Sequence, residues 1–266
     1  MIVGSFNIRG LGSRVKRRRI RDLVRDEKLD FLALHETKLQ IIPESLPRSL
    51  WGNDDCSWAF LPSKGNSGGI LSIWGNSHLS LIFTFVGVGF VGVCLESLDD
   101  HVCYCVLNIY SKCNLNDKRQ MWNDIIMSRR GFGGCCWCIV GDFNSVRDRN
   151  ERRGVGQTVS AVYSQELPLF NDFLKELDLV DMPLIGRRFT WFHPNGVTMS
   201  RLDQVLLSHD WGLRWGNPNV WVFPRDVSDH CPLVVRYSNL EWEPKPFRFN
   251  NFWLTNKSLK EVVVKT

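Results

Sequence analysis

One stretch constrains the fold more than any other: an apolar run at residues 138–140 that passes through Gly141 into Asp142-Phe143-Asn144. A short apolar run bounded by a turn residue is typical of a buried β-strand. This strand would present a carboxylate and an amide at its end. We therefore expect a protein whose chemistry lies where the strands of a sheet end.

Apolar segments of the same kind recur along the chain and alternate with amphipathic segments. Strands are predicted at residues 2–6, 29–34, 57–61, 70–74, 79–86, 89–95, 102–109, 220–223 and 233–237, with a hairpin turn at 65–69. Residues 189–192 and 201–207 are predicted to pair around a turn at 194–196. Helices are predicted after Ser13 as a cap, from Asn116 and from about Glu166. A Trp-rich loop with Pro43 and Pro47 is predicted before the strand at 57–61, and another loop at 145–161. The alternation predicts an α/β fold with sheets covered by helices.

The length and composition indicate one large α/β domain. The chain has 266 residues, 44% of them hydrophobic, which supplies enough apolar surface for a single core. The composition shifts to proline, tryptophan and charge near residue 238. We therefore expect one domain at residues 1–238, followed by a connector or truncated C-terminal tail at 239–266.

Charge and cysteine content limit the compartment and the partners. A net charge of +5 and an arginine-rich segment at 14–25 suit either a solvated helix face or a nucleic-acid backbone. The start resembles no secretory signal, and the glycine-broken apolar stretch at 79–95 is a poor membrane span. Nine cysteines without paired zinc spacing predict buried, reduced thiols rather than a zinc site. An intracellular protein with no membrane partner is expected.

Polar residues that could carry chemistry fall at or near the predicted strand ends. They are Asn7, Glu36, Tyr110, Asp142 with Asn144, Asp203, and Asp229 with His230. Separate carboxylates plus amides suit a hard divalent cation such as Mg²⁺. Each residue alone also has a structural explanation, as a turn, a cap or an ion-pair partner. Their joint arrangement along the chain favours a metal-dependent site.

Six short motifs resemble, in order, those of the endonuclease/exonuclease/phosphatase superfamily. They are residues 5–10 (SFNIRG), 35–38 (HETK), 108–111 (NIYS), 141–144 (GDFN), 201–203 (RLD) and 228–232 (SDHCP), and the likeness covers about residues 1–237. The FTW motif at 189–191, the RLD motif and NERRG at 150–154 are most similar to plant non-LTR retrotransposon (LINE-type) apurinic-like endonucleases. The resemblance implies a deoxyribonuclease I-like fold, a four-layer α/β sandwich of two mixed sheets flanked by helices.

The same resemblance implies roles for individual residues. Glu36 would be the main ligand of Mg²⁺, or of Mn²⁺ instead, with Asn7 and Asp229 close to the ion. Asp142 would activate water, and His230, oriented by Asp203, would stabilise the scissile phosphate. Further contacts to the substrate or leaving group would come from Asn144, Tyr110, Thr190, Ser228 and Arg9. The implied activity is nicking of DNA by a monomeric hydrolase, which would act in the nucleus if genomic DNA is its substrate.

Two departures from the family pattern and two alternative functions remain open. Position 9 is Arg where abasic-site repair enzymes carry an acidic residue, and position 35 is His where Gln is usual. His35 is expected to keep a packing or hydrogen-bonding role, and the alternative is an imidazolium that competes with the metal. The alternatives to a nicking endonuclease are a phosphatase of the same superfamily that acts on inositol or lipid phosphates, and a catalytically silent nucleic-acid-binding remnant. Target preference is not decided by the sequence, and the loop at 145–161 and the hairpin at 194–196 are the expected DNA readers.

Overall fold

Sixteen strands and five helices make up the described part of the chain. The computed structural model describes residues 1–154, 157–216 and 218–237, and their side chains except those of 157–164. The strands are β1 (Val3–Asn7), β2 (Phe31–His35), β3 (Cys56–Leu61), β4 (Ile70–Gly75), β5 (Leu79–Gly87), β6 (Phe90–Ser97), β7 (Cys103–Tyr110), β8 (Cys136–Asp142), β9 (Arg152–Arg153), β10 (Val180–Asp181), β11 (Leu184–Ile185), β12 (Trp191–Phe192), β13 (Met199–Ser200), β14 (Asp203–Leu207), β15 (Pro218–Val222) and β16 (Leu233–Tyr237). The helices are α1 (Arg14–Glu27), α2 (Ser45–Trp51), α3 (Leu115–Gly131), α4 (Gln157–Leu177) and α5 (His209–Trp215).

Two large mixed sheets pack face to face. The first has the order β11-β15-β16-β1-β2-β4-β3, and the second has the order β10-β14-β8-β7-β6-β5. The apolar side chains between them form one core that includes Phe31 and Trp74 from the first sheet and Val106 and Val140 from the second. Both sheets are mixed, because β1–β2 and β7–β8 are parallel while β1–β16 and β8–β14 are antiparallel.

Helices cover the outer face of each sheet. Ile20 of α1 and Leu50 of α2 belong to the apolar cluster on the first sheet. Trp122 of α3 and Phe170 of α4 belong to the cluster on the second sheet. The strands β1, β2, β8 and β14 thus bury side chains on both faces, as expected of strands with continuous apolar runs. The predicted four-layer α/β sandwich of two mixed sheets flanked by helices is confirmed.

A polar bridge joins the two sheets below the strand ends. The amide Nδ2 of Asn108 on β7 donates to the Leu71 carbonyl at 3.1 Å and lies 3.1 Å from the hydroxyl of Ser72, both on β4. Asn108 is fully buried. A hydrogen-bonded amide in an otherwise apolar interface fixes how the sheets are aligned, because any shift would leave it unpaired.

Two loops predicted from the sequence contain helix instead. Residues 43–51 include α2, whose Leu46, Pro47 and Leu50 are buried. Pro47 is tolerated because it lies in the first turn, where backbone N–H groups have no intrahelical partner. The predicted loop at 145–161 is also shorter, since a 3₁₀ helix covers Arg149–Glu151 and α4 begins at Gln157 rather than near Glu166.

Strand pairing around the hairpin at 194–196 also differs from the prediction. Residues 191–192 pair with Met199–Ser200 and not with residues 201–207. The segment 203–207 instead leaves the hairpin and pairs with β8 in the second sheet. The short hairpin strands join β9 in a separate three-stranded sheet. Local spacing predicted the turn, whereas the partner of 203–207 depends on a segment about sixty residues away.

The predicted helix starts are close but not all are capped as expected. Ser13 holds the N-cap position of α1, yet its side chain makes no capping hydrogen bond. Helix α3 is capped by Asn114, whose side chain accepts from the backbone N–H groups of Asn116 and Asp117. Asn116 is therefore inside the helix rather than at its start. Capping by the Asn side chain satisfies N–H groups that the helix leaves unpaired.

The expectation that all core cysteines are reduced is wrong for two of them. Cys103 and Cys135 form a disulfide with a Cα–Cα distance of 4.7 Å. The pairing follows from register, because Tyr104 lies opposite Cys136 in the parallel pair β7–β8. Cys105, Cys136 and Cys138 are buried free thiols as predicted.

No helix within residues 1–154, 157–216 and 218–237 is both long and apolar enough to cross a membrane. The predicted boundary near residue 238 and the tail at 239–266 lie outside the described residues.

Candidate active site

The predicted site residues converge where the strands of both sheets end. Asn7 ends β1 opposite His35, and Glu36 directly follows His35. On the second sheet, Asp142 ends β8 and lies opposite both Tyr110 and Asp203. A cavity of about 300 Å³ opens there, lined by Arg9, Glu36, Tyr110, Cys113, Lys118, Asp142, Asn144, Arg152, Trp191, Ser200, Leu202 and His230.

A buried chain of two carboxylates and one imidazole lies at this cavity, with Asp142 and His230 in the lining and Asp203 in contact with His230 outside it. His230 Nδ1 lies 2.8 Å from Asp203 Oδ2, and His230 Nε2 lies 3.8 Å from Asp142 Oδ2. All three side chains are at most 4% exposed. A hydrogen bond to the carboxylate fixes the imidazole's orientation and leaves Nε2 directed at Asp142.

The electrostatics of this group favour a protonated imidazole. Burial by itself lowers the pKa of His230, but Asp203 and Asp142 outweigh it and raise that pKa to about 9. Burial raises the pKa of Asp142 to about 7, although the His230 charge opposes the rise. Near neutral pH the imidazole therefore carries its proton, while Asp142 can gain or lose one.

Two amides hold the Asp142 carboxylate in place. Asn7 Nδ2 donates to Asp142 Oδ2 at 2.9 Å, and the backbone N–H of Asn144 donates to Asp142 Oδ1 at 2.9 Å. Asn144 has a left-handed backbone with φ of 49°, and its Nδ2 donates to the Ser111 carbonyl at 2.6 Å. Asparagine tolerates this conformation better than most residues. The predicted pair at the end of β8 is thus one rigid turn.

Gly141 is required by the neighbouring strand. It has a φ of 147°, and a Cβ at this position would lie 2.1 Å from the Ile109 carbonyl oxygen on β7. No side chain can occupy that space. The glycine therefore allows β7 and β8 to approach each other immediately before Asp142.

A second group of charges lies at the cavity mouth. Arg9 Nη1 pairs with Asp229 Oδ2, and Arg9 Nε lies 3.4 Å from Glu36 Oε2. Lys38 Nζ lies 3.3 Å from Glu36 Oε1. Burial raises the pKa of Asp229, but His230 and Arg9 together hold it below its usual value. The Asp229 carboxylate is thus held in its ionised form, and both carboxylates face positively charged side chains.

These observations fit a hard divalent cation at Glu36 and Asp229 with Asn7 nearby. The donors are oxygens only, and the structure already directs cationic side chains at the same carboxylates. Asp142, Asp203 and His230 also place ligand atoms within 4.8 Å of one another. Their atoms are engaged in hydrogen bonds to each other, to Asn7 and to Asn144, so that group fits proton transfer better than metal binding.

Tyr110, Ser228 and Thr190 have different surroundings. Burial, with Glu36 and Asp142 nearby, raises the pKa of Tyr110, so its phenol remains a hydrogen-bond donor in the cavity. Ser228 Oγ donates to the Asn7 carbonyl at 2.7 Å, which ties the loop between β15 and β16 to the end of β1. Thr190 is fully buried and does not line the cavity.

The position of Thr190 corrects the expectation that it contacts substrate. Its hydroxyl accepts from the backbone N–H groups of Leu202 and Asp203, both at 3.0 Å. These bonds fix the start of β14 and therefore the carboxylate that holds His230. Thr190 thus supports Asp203 from behind, which sequence spacing alone does not distinguish from a substrate contact.

His35 is a neutral core residue. It is completely buried, and burial lowers its pKa to about 4. Its Nε2 lies 3.4 Å from the hydroxyl of Ser5 on the neighbouring strand. An imidazolium that competes with a metal, as considered from the sequence, is therefore not formed at neutral pH.

Replacing His35 by Gln is expected to flatten the pH dependence of stability. The folded-state pKa of His35, about 4, is below its ordinary value of 6.5, so the unfolded chain binds a proton first as pH falls. The stability present above pH 6.5 is lost on acidification, by about 2 kcal/mol between pH 7 and pH 5. Urea unfolding of parent and His35→Gln at both pH values measures this. Equal losses in the two proteins would contradict the assignment.

Three residues near the site were not selected from the sequence. The Lys118 ammonium, 1% exposed, contacts Glu166 Oε1 at 2.7 Å and donates to the Asn144 carbonyl at 2.7 Å. The Trp191 indole donates to Asp229 Oδ2 at 3.0 Å. The FTW motif contained a signal for Trp191. No local pattern identifies Lys118 or Glu166, which lie on different helices.

Two stacked mixed sheets with five flanking helices in the described residues define the class as deoxyribonuclease I-like. The chain belongs to the Endonuclease/Exonuclease/phosphatase family, whose model matches residues 4–230. Members of this family are phosphoester hydrolases that use divalent metals. No curated protein matches the chain significantly.

Solved structures share the fold at low identity. An AP endonuclease from Leishmania major has a TM-score of 0.70 and 18% identity, over 88% of this chain and 86% of that one. A 3′ phosphatase from Neisseria bound to product DNA hairpin has a TM-score of 0.66 and 15% identity, over 90% and 99%. The endonuclease domain of TRAS1, a telomere-specific non-LTR retrotransposon, has a TM-score of 0.61 and 12% identity, over 90% and 99%. At these identities the likeness shows the fold.

Proposed function

We propose that the protein is a Mg²⁺-dependent endonuclease of retrotransposon origin that nicks one strand of DNA. The observation that carries the proposal is the buried Asp142–His230–Asp203 chain facing the same cavity as Glu36. Phosphodiester hydrolysis needs a base for water and positive charge for the phosphate oxygens. This arrangement offers both within one cavity.

Glu36 would hold the cation with Asn7 and Asp229 close to it, and Mn²⁺ could replace Mg²⁺ because both accept oxygen ligands. The bound ion would supply positive charge to the phosphate oxygens. Arg9 lies at the same mouth and is suited to contact a substrate phosphate, since a guanidinium matches phosphate geometry.

Asp142 would take a proton from the attacking water. A new bond forms between the water oxygen and phosphorus, and the phosphorus bond to the 3′ oxygen breaks. The leaving 3′ oxygen takes up a proton from solvent water, which leaves a 3′-hydroxyl and a 5′-phosphate. Amide donors from Asn7 and Asn144 keep the Asp142 carboxylate oriented. A base whose pKa is about 7 is well matched to proton transfer near neutral pH.

His230 would donate a hydrogen bond from Nε2 to a phosphate oxygen while Asp203 accepts from Nδ1. The raised pKa keeps this imidazole protonated as charge develops on the phosphate. Tyr110 and Asn144, both in the cavity lining, would contact the phosphate or the leaving oxygen. Thr190 and Ser228 would act by positioning Asp203 and the Asp229 loop.

Two surfaces beside the cavity support DNA as the substrate. The expected reader segments are joined, because β9 of the 145–161 segment pairs with β13 of the hairpin. Arg152 and Trp191 of this small sheet line the cavity. On α1, Lys16 and Arg17 are engaged by backbone carbonyls, and the exposed Arg14 and Arg18 are better placed to meet a phosphate backbone.

The proposed retrotransposon origin rests on sequence motifs and on the likeness of the fold to a retrotransposon endonuclease domain. The FTW, RLD and NERRG segments resemble plant LINE-type endonucleases, and the TRAS1 endonuclease domain shares the fold. We place the domain at residues 1–238 with a connector tail at 239–266. Every proposed role is carried by one chain, which supports a monomer, and genomic DNA would be met in the nucleus.

Removing the metal is expected to abolish nicking. Supercoiled plasmid with Mg²⁺ should be converted to open circles, and EDTA should reduce the rate to background because the phosphate loses its main positive charge. A phosphoinositide in place of plasmid tests the phosphatase alternative. Release of phosphate from it, without plasmid nicking, would replace our proposal, and a DNA gel shift without either activity would indicate a silent remnant.

A further inference from the structure

Arg9 lies between the two carboxylates that we assign to the cation. Its guanidinium pairs with Asp229 through Nη1 and approaches Glu36 through Nε at 3.4 Å. Lys38 adds a second positive charge 3.3 Å from Glu36. The same carboxylate oxygens thus face side-chain cations and would also have to face a divalent ion.

The backbone at Arg9 is held in place by hydrogen bonds. The fold therefore sets the direction in which the chain runs there. Arg9 has a left-handed backbone with φ of 50°. Its N–H donates to Asn7 Oδ1 at 3.2 Å, and its carbonyl accepts from Lys16 Nζ at 2.9 Å. The next N–H, of Gly10, donates to the Glu36 carbonyl at 2.7 Å. The backbone of Arg9 is thus fixed in a strained conformation, while its side chain is 45% exposed at the cavity.

We propose that Arg9 is a built-in counter-ion that competes with the divalent cation for Glu36 and Asp229. The inference rests on the proposed function and adds a form of regulation to the same site. Arg9 weakens cation binding in the free protein, because two positive groups within a few ångströms repel each other. When the cation binds, the guanidinium is released into the cavity, where a DNA phosphate can accept it.

The competition has a thermodynamic consequence for the order of events. A cation and a DNA phosphate each remove one half of the internal ion pair, so each makes binding of the other more favourable. The free protein would therefore hold its cation loosely and gain affinity on DNA. A chain with a neutral residue at position 9 would bind the cation tightly without DNA.

Direct Mn²⁺ binding to the full chain without DNA tests this inference. We expect Arg9→Met to bind Mn²⁺ roughly tenfold more tightly than the parent, as measured by isothermal titration or by free-Mn²⁺ electron spin resonance. Methionine keeps the length without adding an oxygen ligand. Arg130→Met is the matched control, since Arg130 is 63% exposed near the end of α3 and its loss changes net charge equally. Its affinity should stay within twofold of the parent.

The outcomes separate this inference from the proposed function. Glu36→Gln should remove the binding, which identifies the site. Equal or weaker Mn²⁺ affinity in Arg9→Met, with Glu36-dependent binding in the parent, would overturn the counter-ion and leave the proposed function standing. Absence of Glu36-dependent binding in both proteins would overturn the proposed metal site itself. Arg9→Ala, which also adds no oxygen ligand, replaces Arg9→Met if thermal melting shows that the latter is unfolded.

Discussion

Replacing Asp142 by Ala is expected to lower plasmid nicking by roughly two to three orders of magnitude. The carboxylate is the only acidic group that touches both of the site's amides, Asn7 and Asn144, among the described residues. Its loss removes the proposed base for water. The rate of nicking in Mg²⁺, measured at equal protein concentrations, gives the effect.

The fold should survive this substitution, which makes the test sharp. Burial already disfavours the charged form of Asp142, as its raised pKa of about 7 indicates. Removing that carboxylate therefore offsets part of the cost, about 1–3 kcal/mol each, of leaving the Asn7 and Asn144 donors unpaired. Asp210→Ala is the matched control, because Asp210 is exposed on α5. Parental nicking by Asp142→Ala, with a parental melting temperature, would show that another group activates the water.

The location of the site was predictable because strand ends are a local property of the sequence. Apolar runs stop or start at polar residues, strand pairing places Asp203 opposite Asp142, and packing of the two sheets brings Asn7 to Asp142. Their roles remain predictions. The backbone at the site was not predictable, since Arg9, Glu36 and Asn144 all have φ near +50°, and this conformation depends on contacts made by the folded chain.

The layers of the fold were predictable from the sequence, whereas the partners of individual strands were less so. Hairpin β3–β4 was predicted from its turn, and the strands β5, β6 and β7 were predicted from their apolar runs, although their pairing in a meander was not. The partner of β14 and the disulfide between Cys103 and Cys135 depend on register between distant segments. Helix α2 was missed because its proline suggested a loop.

Lys118 and Glu166 show why the support of a site is harder to predict than the site. The two residues are 48 positions apart on α3 and α4, and each alone is consistent with a solvated helix face. Packing of both helices on the second sheet buries them together. The Lys118 ammonium then donates to the Asn144 carbonyl and lies 3.1 Å from the Ser145 hydroxyl, so it fastens the turn after Asp142.

Replacing Lys118 by Met is expected to lower the free energy of unfolding by about 3–5 kcal/mol, because the Glu166 carboxylate would be left buried without a partner. Burial lowers the pKa of Lys118, and the nearby Glu166 carboxylate opposes that effect. The attraction between the two side chains thus offsets the cost of burying the ammonium. Urea unfolding measures the loss. The exposed pair Lys112 and Asp117, 3.2 Å apart, is the control, and Lys112→Met should cost less than about 1 kcal/mol.

The double variant Lys118→Met/Glu166→Leu decides whether the cost comes from the unpaired charge. Replacing both partners with apolar side chains removes the buried charge, so the double variant should be more stable than Lys118→Met alone by about 2 kcal/mol or more. Costs that simply add would contradict this coupling. A double variant that is stable but nicks more slowly, with KM unchanged, would show that the ammonium contributes by fastening Asn144 beside Asp142 rather than by stabilising the fold.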